Sequence, residues 1–324
     1  SKEVQDFWLV KNGVLYQNDR GEIIFENLVL RGKDVVLAVP ESNIIVTAAE
    51  ETLFLTDLEN PKIAINLNQL FNSLKERELL LPGTVPVKRV FIHPFSSQKI
   101  ILATVTSLYS LDLKKLKLER LVTLEKIDTL SLGLNEVFLI DGEKLTAVNL
   151  LIKRTSEYQF KTKGPIKKIM VNPNGSKIFI QSANNDLYLY NRNQNTTILL
   201  EEKLNNFYLS PEEKRLLMVK DKGSEIFYLN NYQSDVRYLA GERTSILLIR
   251  NFTDSIENLS WLPKTLNHVL ILANKNLWVT ELDARSEINA YNLFREVDKF
   301  ILNENNLYFL RNGEVLKTDL TKLN

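Results

Sequence analysis

The chain has 324 residues, no cysteine and only two histidines, His93 and His268; 41 Lys and Arg balance 40 Asp and Glu, for a formal net charge of +1. Disulfides, thiolate nucleophiles and Cys-ligated zinc are therefore excluded, as is a three-His metal site, and a His-dependent triad has two possible bases. The charge balance gives no bulk case for nucleic acid or an anionic membrane, leaving only local patches open. With 44% hydrophobic and 25% charged residues, this is an ordinary globular composition for one large domain or two smaller ones.

The N-terminus, SKEVQDFWLV, holds no apolar signal core, and no apolar run reaches the ~18 residues that span a bilayer. The first residue is Ser rather than Met, which leaves room for a signal or anchor upstream. A hairpin pattern follows at Phe7–Asn18, then an apolar segment at Glu22–Val29 that runs directly into the next strand pattern.

From there a turn followed by an apolar run recurs along the chain. Its prolines are Pro40, Pro94, Pro173, Pro211 and Pro263, with two degenerate copies beginning at Gly133 and Leu302. A second pattern keeps the same phase: a strand ending in Asp or Asn, as in LFLTDL from Leu53, LYSLDL from Leu108, LTAVNL from Leu145 and LYLYNR from Leu187. It continues as IFYLNN from Ile226, LWVTEL from Leu277 and VLKTDL from Val315, and VLYQND from Val14 is an eighth candidate. The shorter spacings lie near ~40 residues, the period of propeller blades.

The clearest copy predicts four short strands near Lys167–Val171, Lys177–Gln181, Asp186–Tyr190 and Thr196–Leu200. One such sheet cannot bury both faces, whereas blades stacked in a ring bury them and remove most free edges. The expected fold is an all-β single domain over residues 1–324, a β-propeller of four-stranded blades. Repeat units fall near 1–31, 32–86, 87–126, 127–163, 164–203, 204–254, 255–296 and 297–324.

The C-terminal unit supplies three strands, and Glu22–Val29 has the position of an outer closing strand. Seven blades, closed by N- and C-terminal strands, are therefore favoured, with eight as the alternative. Two insertions stretch the period: Asn68–Val87, which opens as an amphipathic helix carrying Leu70, Phe71 and Leu74, and Gly241–Ser255, a longer loop or outer hairpin.

Candidate chemistry is sparse. His93 precedes Pro94 at a position that elsewhere holds Val39, Asn172, Ser210 and Leu262, so it reads as a turn residue, and His268 is similar. The third-strand residues Asp57, Asp112, Asn149, Asn191, Asn230 and Asp319 resemble a ligand ring, but repetition in nearly every unit favours turn caps. No glycine-rich phosphate loop and no Gly-x-Ser-x-Gly elbow is present.

The starts of the first strands would surround the mouth of a propeller channel. They carry Lys33, Asp34, Lys88, Arg89, Asp128, Lys167, Lys168, Asn205, Asn206, Glu257, Asn258, Asp298 and Lys299. Lys88, Arg89, Lys167 and Lys168 form a basic group opposed by Asp128, Glu257 and Asp298; with Lys299 these eight are the candidate binding residues. A wet rim needs polar residues in any case.

The repeated pattern xPxGxKIxxxxxxxxLYxxD resembles the bacterial TolB-type and WD-repeat-like propeller repeats over most of the chain. It lacks the paired Gly-His and Trp-Asp signature of eukaryotic WD repeats, its strands ending instead in Thr56-Asp57, Leu111-Asp112 and Thr318-Asp319. The resemblance implies a propeller with a binding habit, found also as the ectodomain of membrane-anchored, PEGA-associated proteins, and carries over no catalytic residue. The function expected is thus a non-enzymatic binding or scaffold module for a protein partner, without cofactor or nucleic acid and outside the cytoplasm or on an upstream anchor. The alternative is a propeller enzyme, lactonase- or lyase-like, or a small-ligand or carbohydrate binder at the channel mouth.

Overall fold

The computed structural model describes all residues except 1–2, 78–85, 221–222, 234–236, 247, 249–255, 263–264, 266, 283–289 and 323–324. Among the described residues the chain forms eight consecutive antiparallel sheets, each a meander in which strands pair in chain order. These are blade 1 (residues 4–29), blade 2 (34–66), blade 3 (89–123), blade 4 (129–159), blade 5 (166–201), blade 6 (206–246), blade 7 (256–295) and blade 8 (297–319). The architecture is an all-β propeller of mostly four-stranded blades. The chain divides into two compact units, residues 1–184 with 188–200, and 185–187 with 201–324. The first holds blades 1 to 4 and most of blade 5, and the second holds blades 6 to 8.

The second strand of each blade explains the stacking. Ile44–Ala49, Lys177–Ser182, Arg215–Lys220 and His268–Ala273 are buried along most of their length rather than at alternate positions. Successive side chains on a strand point to opposite faces, so these strands need apolar cover on both sides. In blade 4, Val137 and Leu139 pack with Ile101 and Ala103 of blade 3, while Phe138 and Ile140 pack with Ile169 and Ile178 of blade 5. In the second unit Leu217 and Val219 meet Leu259 and Ile271 between blades 6 and 7, and Leu270 and Leu272 meet Phe300 and Leu307 between blades 7 and 8.

One backbone link recurs in blades 2 to 8. The residue after the third strand donates its N–H to the carbonyl just before the second strand, or in blade 3 to one two residues inside it. The pairs are Leu58 to Asn43, Leu113 to Gln98, Leu150 to Asn135, Arg192 to Ser176, Leu229 to Lys214, Leu282 to Asn267 and Leu320 to Asn305, at 2.6–2.9 Å. It ties both turns at that end of the blade together.

The seven-blade expectation is corrected. The segment Glu22–Val29 does not complete the C-terminal blade but folds on itself, with Ile23–Phe25 pairing both Gly13–Asn18 and Leu28–Val29. Its reversal uses Glu26 and Asn27, both at positive φ (47° and 69°), the backbone of a two-residue hairpin turn. The N-terminal residues therefore build a complete blade of their own, in which Val14–Asn18 belongs to the second strand and Ile23–Phe25 is the third. Blade 8 has the three strands Val297–Asn303, Asn306–Arg311 and Glu314–Asp319 and takes no strand from the N-terminus.

Both insertions are placed in part. Helix α1 (Leu67–Arg77) begins with Asn66, whose Oδ1 accepts the Gln69 N–H at 3.0 Å, an N-cap. It buries Leu67, Phe71 and Leu74 among blades 2 and 3, with Phe71 edge-on to Tyr109 at 5.1 Å. In blade 6 the outer strand is Arg243–Ile246, inside the stretch expected as a longer loop or outer hairpin. The extra structure is a two-stranded ribbon before it, Tyr232–Gln233 with Arg237–Tyr238. Residues 249–255 and Pro263 lie outside the described residues.

Because Phe71 is fully buried between two blades, Phe71→Ala is expected to lower unfolding stability by about 3–5 kcal/mol. Urea denaturation measures it, and a loss below about 1 kcal/mol would show that α1 is peripheral to the core.

Candidate functional site

The repeated Asp and Asn residues are turn caps. Asp112 Oδ1 accepts the N–H groups of Lys114 and Lys115 at 3.1 and 2.9 Å, and Asn149 Oδ1 those of Leu151 and Ile152 at 3.0 and 3.1 Å. Asn191, Asp57 and Asp319 bond in the same manner to Asn193, Glu59 and Thr321. Asn230 departs from this, reaching with its amide toward the Glu213 carbonyl at 3.5 Å. Oxygens committed to N–H groups one turn away hold backbone, not a common ligand. Among the described residues, no group of three or more His, Asp or Glu is gathered as metal ligands would be.

His93 ends a first strand and is buried. Its Nδ1 accepts the Phe95 N–H at 3.2 Å, and burial, with Lys99 second, pushes its pKa below the usual histidine value. It closes the turn as a neutral imidazole. Asn172 and Ser210 do the same work at the equivalent position, accepting the N–H groups of Lys177 and Arg215 at 2.8 and 3.1 Å. His268 opens the second strand of blade 7, opposite Glu281, with its Nδ1 buried.

The candidate rim residues divide between the two units. In the first, Lys88 and Arg89 stand exposed at the start of blade 3, and Lys167 and Lys168 at the start of blade 5. Asp128 at the start of blade 4, the carboxylate expected to oppose them, is engaged locally. Its Oδ1 lies 2.6 Å from Lys126 Nζ, and its Oδ2 accepts the Gly142 N–H at 2.9 Å. The Lys126 hydrogen bond first, then the Gly142 N–H, hold its carboxyl below the usual aspartate range. In the second unit Glu257 and Asp298 are exposed and Lys299 is half-buried, and Asp298 pairs with Lys275 Nζ at 2.9 Å.

Two arginines, Arg192 half-buried and Arg215 fully buried, were not singled out from the sequence. Arg192 occupies the post-third-strand position that is Leu58, Leu113 and Leu150 in blades 2 to 4. Its guanidinium meets both Glu136 oxygens, donates from Nε to the Tyr158 hydroxyl at 2.7 Å, and lies 4.9 Å from the Tyr158 ring. It joins blade 5 to blade 4 by charge where the other blades use a leucine. Arg215, fully buried, lies over Tyr232 at 4.2 Å and Trp261 at 5.0 Å, and donates to Glu212 at 2.7 Å and Asn267 at 3.1 Å. The signal for Arg192 was its break with the leucine repeat; Arg215 starts a strand much as Lys177 does and gave none.

On the flank of blades 4 and 5 a cleft of about 530 Å³ is lined by Asp141, Glu143, Lys144, Lys161 and Asn195, with Phe160 beneath. Its polar groups are mixed in sign.

No protein-family model and no curated protein matches the chain. Solved structures do. Hsv2 of Kluyveromyces lactis, in a structure with a complete loop 6CD, aligns with 91% of this chain and 99% of its own at 10% identity and a TM-score of 0.56. The tricorn protease aligns with 95% of this chain and 36% of its own at 10% identity and a TM-score of 0.55. At such identity the likeness shows the fold alone, a β-propeller.

Two outcomes follow from these contacts. Glu136→Gln removes the charge from a half-buried ion pair and is expected to cost about 1.5–3 kcal/mol in urea unfolding. Combined with Arg192→Leu, the residue of the neighbouring blades, it should cost less than the two single losses added; strict additivity would show that the pair does not interact. Asp128 has a lowered folded pKa, so its stabilisation is complete above about pH 4 and is lost as pH falls through that lowered value. Asp128→Asn is expected to flatten the melting-temperature profile below about pH 4; an unchanged acid limb would contradict the Lys126–Asp128–Gly142 arrangement.

Proposed function

We propose that this chain is a non-enzymatic β-propeller module that binds a protein partner through the first-strand ends of blades 3 to 5. The observation that carries the reading is the exposure of four cationic side chains at those ends. Lys88, Arg89, Lys167 and Lys168 are exposed, while Asp128 between them is committed to Lys126 and the Gly142 N–H. Cations raised on rigid strand ends suit an acidic segment of a partner, and steer it by long-range attraction more than by contact energy.

Further support comes from what the conspicuous polar residues do. The Asx series caps turns, His93 closes one, and Arg192 and Arg215 hold blades together, so each has a structural task. The resemblance of the repeats to TolB-type and WD-repeat-like propellers points the same way, toward binding.

The test is a pull-down with the full chain and with the charge-reversed variant K88E/R89E/K167E/K168E. All four positions are exposed, so the fold should persist with little change in melting temperature. Capture of the partner should fall at least about tenfold and should weaken with added salt in the wild type. Capture unchanged by the reversal would move the site off this rim.

A further inference from the structure

At the opposite ends of the strands, blades 3 and 4 present turns of a different character. The turn after the third strand reads Asp112-Leu113-Lys114-Lys115-Leu116-Lys117 in blade 3 and Asn149-Leu150-Leu151-Ile152-Lys153-Arg154 in blade 4. In each, the first leucine is tucked in and donates the recurrent backbone bond, while the tip faces solvent. Leu116 is 43% exposed, Leu151 58% and Ile152 64%. Leu134, 57% exposed, belongs to the other turn of blade 4, next to Asn135, whose carbonyl accepts the Leu150 N–H. The blade 4 tip is tied to blade 3 by Lys153 Nζ to Glu119 at 2.6 Å.

The fold does not require apolar tips. The equivalent turn of blade 5 is Asn193-Gln194-Asn195, with the same backbone: Leu116, Lys153 and Asn195 have φ of 48°, 54° and 51°. Asn tolerates this left-handed conformation and leucine does so poorly, so Leu116 is the worse turn residue at its own position. Blades 3 and 4 thus place large aliphatic side chains in water where polar ones fit better.

Within these two turns the exposed charge is cationic, while on the blade 2 side Glu41 and Glu59 line a cleft together with Lys114. Lys114, Lys115, Lys117, Lys153 and Arg154 are exposed, whereas Asp112 caps its own turn and Glu119 is held by Lys153. Aliphatic tips that project from cationic turns have the chemistry of an interfacial membrane contact, in which side chains enter the headgroup boundary and lysines meet lipid phosphates. A protein hot spot instead seats its anchors in packed pockets.

We infer that the turn face of blades 3 and 4 docks on an anionic phospholipid surface, with Leu116, Leu151 and Ile152 entering the headgroup layer and Lys114, Lys115, Lys117 and Arg154 meeting lipid charge. This goes beyond the protein-binding reading, which concerns the other ends of the strands, and either can fail alone.

The experiment is co-sedimentation of the full chain with phosphatidylcholine vesicles, with and without about one quarter phosphatidylserine. The wild type should pellet only with the anionic vesicles, and less as salt rises. The variant L116N/L151N/I152Q copies the blade 5 turn, so it should melt at least as high as the wild type and lose about tenfold or more of its vesicle binding. K114Q/K115Q/K117Q should lose a comparable share. Failure of the wild type to pellet, equal pelleting with neutral vesicles, or wild-type binding by both variants would overturn the inference, as would loss of a captured protein with vesicle binding unchanged.

Discussion

A strand that is apolar on both of its faces has to be covered from both sides, and the rest of the structure depends on that requirement. Phe138 and Leu139 are neighbours in sequence, yet one packs toward blade 5 and the other toward blade 3. No single four-stranded sheet can satisfy such a pair. Consecutive sheets can, and the chain supplies them at nearly regular intervals because each has the same internal demand. The recurrent backbone bond after the third strands of blades 2 to 8 is the local counterpart, fixing the two turns at that end of each of those blades.

Once the interior is dictated in this way, variation is tolerated mainly at strand ends and turn tips, where specific recognition has to be built. The first-strand ends of blades 3 to 5 carry exposed cations, and the turn tips of blades 3 and 4 carry aliphatic groups among cations. Interior departures follow another logic. Arg192 replaces a buried leucine only because Glu136, Tyr158 and the Phe138 ring surround it, and Arg215 is buried between two aromatic rings. Each desolvated guanidinium keeps both a carboxylate and a π-face, which offsets the cost of burial.

Much of the fold was legible in the sequence because the signals were redundant. The apolar second strand and the Asp or Asn that ends the third recur together, and the four strands of blade 5 fall within one residue or so of their expected limits. The N-terminus misled for a physical reason. Tyr16-Gln17-Asn18 mimics a third-strand ending, with Asn18 Oδ1 indeed accepting the N–H groups of Arg20 and Glu22, although it ends a second strand. Glu26-Asn27 looks like strand continuation because neither residue is Gly, yet both adopt positive φ and turn the chain. The residue types at the first-strand starts can be read from the sequence, whereas the local pairing of Asp128 cannot. The Lys126 partner of Asp128 lies two residues away, but the Gly142 N–H comes from a turn on the far side of a hairpin.

Native-state hydrogen exchange on the free chain tests the central claim most directly, since stacked two-sided strands should be the last to open. The second strands Ile44–Ala49, Glu136–Asp141, Lys177–Ser182 and Arg215–Lys220 are predicted to exchange slowest, with Phe7–Val10 and Ile23–Phe25 of the N-terminal blade protected alongside blade 2. Rapid exchange across residues 4–29 while blade 2 stays protected would contradict an independent N-terminal blade, and with it the eight-blade account.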